Sequence, residues 1–119
     1  YAKQILALVE QFPIRGIAHI TGGGITENLP RVFPSGVRAR IMRTAWSVPP
    51  IFHVLSGLGQ VDRDEMYRVF NMGIGLVLVV PSDSVNSVLA HVQALGDRAW
   101  RIGEIVSSYG DEPGVEYVD

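Results

Sequence analysis

The chain has 119 residues, 47% hydrophobic and 18% charged, with 10 Lys+Arg against 12 Asp+Glu and a formal net charge of −2. This composition excludes an intrinsically disordered chain, and the absence of Cys excludes disulfides, thiolate metal sites and thiol catalysis. The slightly acidic balance speaks against a dedicated nucleic-acid binder. The longest apolar run, Met72 to Val80, is far short of the ~20 residues of a membrane helix.

This length suits one compact domain over residues 1–119. A start at Tyr1 instead of Met leads us to expect a processed or partial chain. No basic segment followed by an apolar one points to secretion. Of the basic residues only Lys3 is Lys; the bias to Arg suits phosphate contacts but equally follows from genome composition.

The predicted elements alternate in type. Residues 2–12 read as an amphipathic helix with Ile5, Leu8, Val9 and Phe12 on one face, ended by Pro13. Residues 14–21 read as a strand with Ile14, Ala18 and Ile20 on one face and Arg15, Ile17, His19 and Thr21 on the other. Gly22-Gly23-Gly24 follows, then a short helix over 26–31 closed off by Pro34. Residues 37–44 alternate as a half-buried strand, with Val37, Ala39 and Ile41 inward and Arg38 and Arg40 outward.

Ser47 before Pro49-Pro50 predicts a capped helix carrying Ile51, Phe52, Val54 and Leu55 and stopping at Gly57 or Gly59. Asp62 and Glu65 form a capping-box variant for another helix through Tyr67 or Arg68. The run 72–80 predicts a central strand buried on both faces. Residues 84–95 form the clearest helix, with Val85, Val88, Leu89, Val92 and Leu95 on one face and Gly96 at its end. Residues 99–106 predict a strand and 115–118 an edge strand. The expected fold is α+β: a two- or three-layer sandwich of helices on a mixed four- to five-stranded sheet, partly ferredoxin-like.

Two segments have the residues for chemistry. In Ile17–Pro34 a strand runs into three glycines and a helix start. Backbone N–H groups without a shielding Cβ, together with the positive end of a helix, describe a phosphate cradle. His19, Thr21, Glu27 and Asn28 would surround it. The segment is neither a P-loop nor G-x-G-x-x-G. The same residues also describe a tight turn in which Glu27 only favours the helix dipole. In Phe70–Gly75, the glycines 73 and 75 mark close backbone approach, and Asn71 stands ready to bond a ligand; a bulge under a packed helix is the competing reading. His53 and His91 have no second ligand at metal spacing. Arg38 and Arg40 are expected to face water, Trp46 and Trp100 to pack in a core or interface, and Asp111-Glu112 to be solvated in a turn. No metal-ligating constellation emerges.

Three stretches carry a resemblance that covers essentially the whole chain. GIAHITGGGITENLPRVFP (16–34), EMYRVFNMGIG (65–75) and AWRIGEI (99–105) resemble, in this order, the C-terminal domain of phosphoribosylformylglycinamidine cyclo-ligase, also called aminoimidazole ribonucleotide synthetase. Val69 stands where that family usually has Thr, and Met72 where it has Cys or Met. The resemblance implies a ligase of de novo purine biosynthesis. Such an enzyme uses ATP to close formylglycinamidine ribonucleotide to aminoimidazole ribonucleotide, through an iminophosphate. It further implies that ATP and Mg2+ are bound mainly by a separate N-terminal domain absent from this chain, that the full-length enzyme is a cytoplasmic homodimer, and that these residues alone do not turn over. Carried over residue by residue, Thr21, Gly22, Gly23, Gly24, Glu27, Asn28, Asn71, Gly73 and Gly75 would hold a phosphate-bearing or amide part of the substrate. His19 would donate a hydrogen bond or transfer a proton beside them. Related ATP-dependent enzymes (formylglycinamidine synthetase, selenophosphate synthetase, thiamine-phosphate kinase, a hydrogenase-maturation protein) are the nearest alternatives, and a non-catalytic interaction domain is the alternative of another class.

Overall fold

A computed structural model describes residues 2–108 and 114–119. The turn expected at Asp111-Glu112 lies outside these described residues. The described residues form helices α1 (Ala2–Gln11), α2 (Gly24–Asn28), α3 (Pro50–Gly59), α4 (Arg63–Val69) and α5 (Val85–Ala94). The strands are β1 (Gly16–His19), β2 (Val37–Met42), β3 (Leu76–Val79), β4 (Gly103–Ser107) and β5 (Val115–Val118). Short 3-10 turns follow α2 at Leu29–Val32 and precede α5 at Ser82–Ser84. The α+β expectation and the order of elements hold. The strands, however, form two sheets: β1 with β3, and a mixed sheet in the order β4-β2-β5. In the latter β2 runs antiparallel to β4 and parallel to β5, which makes β5 the predicted edge strand.

The chain divides into two compact units, Tyr1–Ile17 with Leu78–Arg101 and Ala18–Val77 with Ile102–Asp119. In the first, Leu8 of α1 and Val88 of α5 are buried, and Phe12 meets the His91 ring edge-on at 5.7 Å. His91 thus packs as an aromatic side chain. Val9 and Leu95, expected on buried faces, are exposed. The C-terminus of α5 closes as predicted at Gly96, with Gly96 N–H donating to Gln93 O and Asp97 N–H to Val92 O, the paired bonds of a Schellman motif.

The second unit buries Ala18, Ile20, Ile25, Leu29, Ala39, Ile41, Trp46, Met66, Tyr67, Met72, Ile74 and Val77. The alternation predicted for β2 is present: Ala39 and Ile41 are buried, and Arg40 faces outward between Glu104 of β4 (3.6 Å) and Glu116 of β5 (3.5 Å). These are its directly opposed neighbours in the ladder. Arg38 does not simply face water, for its Nε is buried.

Several boundaries differ from expectation. The strand predicted over 72–80 begins only at Leu76 and is half-buried apart from Val77, because Asn71 starts a turn. Its side-chain Oδ1 accepts from Gly73 N–H at 2.9 Å and its carbonyl from Ile74 N–H at 3.0 Å, with Met72 and Gly73 both at positive φ. The strand predicted over 99–106 starts at Gly103. Pro49, not Ser47, stands before the first turn of α3; Pro50 at the first helical position needs no N–H partner. None of α3 is buried, and Ile51, Val54, Leu55 and Leu58 form an exposed apolar stripe, Leu58 at 80%.

Asp62 caps α4 as predicted, its Oδ1 accepting from Glu65 N–H at 2.9 Å. Asp62→Ala is expected to lower stability by about 1 kcal/mol, read as an earlier urea midpoint with unchanged slope.

Candidate functional site

β1 leads into the site. Its period of two buries Ala18 and Ile20 and leaves His19 and Thr21 exposed on the opposite face. The glycine turn then reverses the chain into α2, which begins at Gly24 rather than at Thr26. Gly23 at φ 92 and Gly24 at φ 61 make the reversal.

This loop is fastened to the second segment singled out in the sequence. Ile20 N–H donates to Gly75 O at 2.9 Å, and Gly23 N–H donates to Val69 O at 3.2 Å. A Cβ on Gly24 would run into Phe70 O and lie 3.0 Å from Tyr67 O, so α2 packs backbone-close on the end of α4. Gly73 in turn lies against Pro49 at the start of α3. The two segments, some fifty residues apart in sequence, meet in one neighbourhood.

Within it the predicted residues divide by role. Asn28 is 5% exposed. Its Nδ2 donates to the carbonyls of Thr21 (3.3 Å), Gly22 (3.2 Å) and Gly24 (2.8 Å). Its Oδ1 accepts from the Thr21 hydroxyl at 3.2 Å and from Arg31 Nη1 at 3.4 Å. Asn28 therefore holds the loop's shape from behind. Gly24 N–H is also engaged, donating to Thr21 O at 3.0 Å. Asn71 and Gly73 shape the adjoining turn, and Gly75 O accepts from Ile20 N–H.

The accessible chemistry lies on the other side. His19, Thr21, Gly22 and Glu27 are exposed, and a Cβ on Gly22 would meet nothing within 4 Å. The Glu27 side chain folds over Gly23 at the start of α2, where the helix dipole favours a carboxylate. Since Gly23 and Gly24 spend their N–H groups inside the protein, Gly22 offers the open part of the turn.

Sequence reasoning missed the cluster beneath α2. The Thr26 hydroxyl lies 3.2 Å from Tyr67 O, to which it donates, and 2.9 Å from the Tyr117 hydroxyl. The Tyr67 and Tyr117 rings are 5.3 Å apart, with the Arg43 guanidinium 5.5 and 5.4 Å from their centres. Burial raises the Tyr117 pKa, against the opposing pulls of the Thr26 bond and Arg43. Only folding brings β5 to α2, and no spacing rule announces it. Among the described residues no group of three or more His, Cys, Asp or Glu side chains could hold a metal ion, and no helix is long and apolar enough to cross a membrane.

The family model described as AIR synthase related protein, C-terminal domain, matches residues 1–116. The chain belongs to this family. As an AIR synthase related C-terminal domain it is similar to several curated proteins named phosphoribosylformylglycinamidine cyclo-ligase. It is 50% identical to that of Cupriavidus pinatubonensis over 105 residues, covering 88% of this chain and 30% of the relative. Identity to the Geobacter sulfurreducens protein is 47% over 119 residues, all of this chain and 33% of the relative. The Desulfitobacterium hafniense protein is 45% identical over 118 residues, 99% of this chain and 34% of the relative. The chain thus spans about a third of the length of the curated relatives it matches. The family assignment agrees with the resemblance read from the three stretches of sequence.

Proposed function

We propose that these residues act as one C-terminal domain of a phosphoribosylformylglycinamidine cyclo-ligase, which closes the imidazole ring of aminoimidazole ribonucleotide from formylglycinamidine ribonucleotide. The observation that carries this reading is the convergence of the HITGGGITEN and FNMGIG segments through the Ile20–Gly75 and Gly23–Val69 hydrogen bonds. Two of the three stretches that carry the likeness to the cyclo-ligase thus meet in one neighbourhood with an exposed polar edge.

His19, Thr21, Gly22 and Glu27 form that edge and meet the ribonucleotide. The Gly22 N–H suits a phosphate or amide oxygen. The His19 imidazole donates a hydrogen bond or transfers a proton beside it. Gly23, Gly24, Asn28, Asn71, Gly73 and Gly75 act behind this edge by fixing its shape.

ATP, when bound to the whole enzyme, supplies the phosphoryl group that activates the formyl oxygen. As the likeness to the cyclo-ligase implies, we assign the nucleotide and its Mg2+ mainly to the remaining two-thirds of a full-length, cytoplasmic, homodimeric enzyme. The uncharged stripe of α3 supports a docked surface of that remainder.

Titration of the full-length protein with formylglycinamidine ribonucleotide, phosphate and sulfate, followed by amide NMR, tests the reading. The ribonucleotide is expected to shift the signals of His19–Gly22 and Glu27. No shift anywhere in 19–28 would overturn it.

A further inference from the structure

We propose that Tyr117 is a positioning residue of the candidate site, acting through Thr26 to fix the start of α2 and with it the exposed edge at His19–Gly22. The inference rests on the functional reading above and names a group outside all three stretches that carried it.

A five-residue helix cannot hold its own geometry, because so short a segment pays the nucleation cost without enough propagated bonds. Tertiary contacts must set where α2 begins. Apart from Asn28 and the Gly23–Val69 bond, the polar contacts that do so converge on Thr26. Its hydroxyl bonds Tyr67 O on α4 and the Tyr117 hydroxyl on β5. Tyr67 O is also one of the atoms closest to Gly24, so the same carbonyl limits how near the glycine turn can come.

The opposite end of the cluster reaches the second segment. The Tyr67 ring meets Trp46 edge-on at 6.0 Å, and Trp46 Nε1–H donates to Met72 O at 3.1 Å. Thr26, Tyr117, Tyr67 and Trp46 therefore form a continuous strut from α2 to the Asn71–Ile74 turn. Arg43 braces it, lying against both tyrosine rings and paired with Asp64 at 2.7 Å. The strut is held largely by its rings. The hydroxyl pair is the link by which Tyr117 reaches α2, and removing it leaves the rings packed.

The test uses the full-length enzyme. Tyr117→Phe is expected to raise KM for formylglycinamidine ribonucleotide about fivefold, the size of one net hydrogen bond, with kcat within twofold of wild type. Thr26→Val should do at least as much, and Thr26→Ser, which keeps the hydroxyl, should restore the wild-type KM. The Tyr117→Phe/Thr26→Val double variant should match Thr26→Val alone, because both changes cut the same link. Amide exchange at Gly22–Gly24 should quicken in Tyr117→Phe. An unchanged KM in Tyr117→Phe, additive effects in the double variant, or unchanged exchange at Gly22–Gly24 would overturn the proposal. Absence of turnover in the wild-type enzyme would instead overturn the functional reading, and the exchange rates would then decide the positioning role by themselves.

Discussion

Asn28→Ala is expected to lower the unfolding free energy by about 3 kcal/mol, since each buried polar group left without a partner costs about 1–3 kcal/mol. One side chain serves the carbonyls of Thr21, Gly22 and Gly24 and accepts from the Thr21 hydroxyl. Gly22 is exposed and can turn to water, which keeps the loss from being the sum of three deletions. Asn28→Asp should cost as much or more, because a carboxylate would then face the loop's carbonyl oxygens. Urea unfolding measures both. A loss well under 1 kcal/mol for Asn28→Ala would mean that the loop keeps its shape without this amide.

Gly24→Ala is expected to cost a similar amount for a different reason. At φ 61 a residue with a Cβ gives up roughly 1–2 kcal/mol. The new methyl would also run into Phe70 O, and overpacking of this kind costs about 1–3 kcal/mol. The neighbour at fault is backbone, so no side chain can swing aside. Gly22→Ala is the contrast, because its Cβ would enter open space. It should change stability by less than about 0.5 kcal/mol. Equal effects at the two glycines would contradict the division of the turn into a packed side and an open side.

Much of this arrangement is legible in the sequence because it follows from local rules. Alternation through 14–21 is enough to send His19 and Thr21 to the exposed face, and Asp62 to Glu65 is enough to start α4. What escapes local rules is partnership. Asn28 reads as a ligand-binding amide from its place beside three glycines, yet its amide donates to the loop carbonyls of Thr21, Gly22 and Gly24. A short polar side chain next to a turn has the same spacing in either role. The run from Met72 reads as a buried strand because its residues are apolar. Asn71 decides otherwise by capping a turn that needs positive φ at Met72, which hydrophobicity does not encode. The exposed stripe of α3 shows the limit of such rules: the 3, 4, 7 spacing states that the face is apolar, not what covers it. Thr26 and Tyr117 lie 91 residues apart, and their hydrogen bond is a product of the tertiary fold alone.

The central claim is that the exposed edge of this domain takes part in ring closure. The most direct test is the rate of aminoimidazole ribonucleotide formation by the full-length enzyme carrying His19→Ala. His19 is exposed, so the unfolding midpoint should stay at the wild-type value. A side chain that moves a proton in the reaction contributes about 10²–10⁴-fold, and a fall in kcat/KM within that range is the result predicted. Wild-type kinetics in a folded His19→Ala enzyme would contradict it.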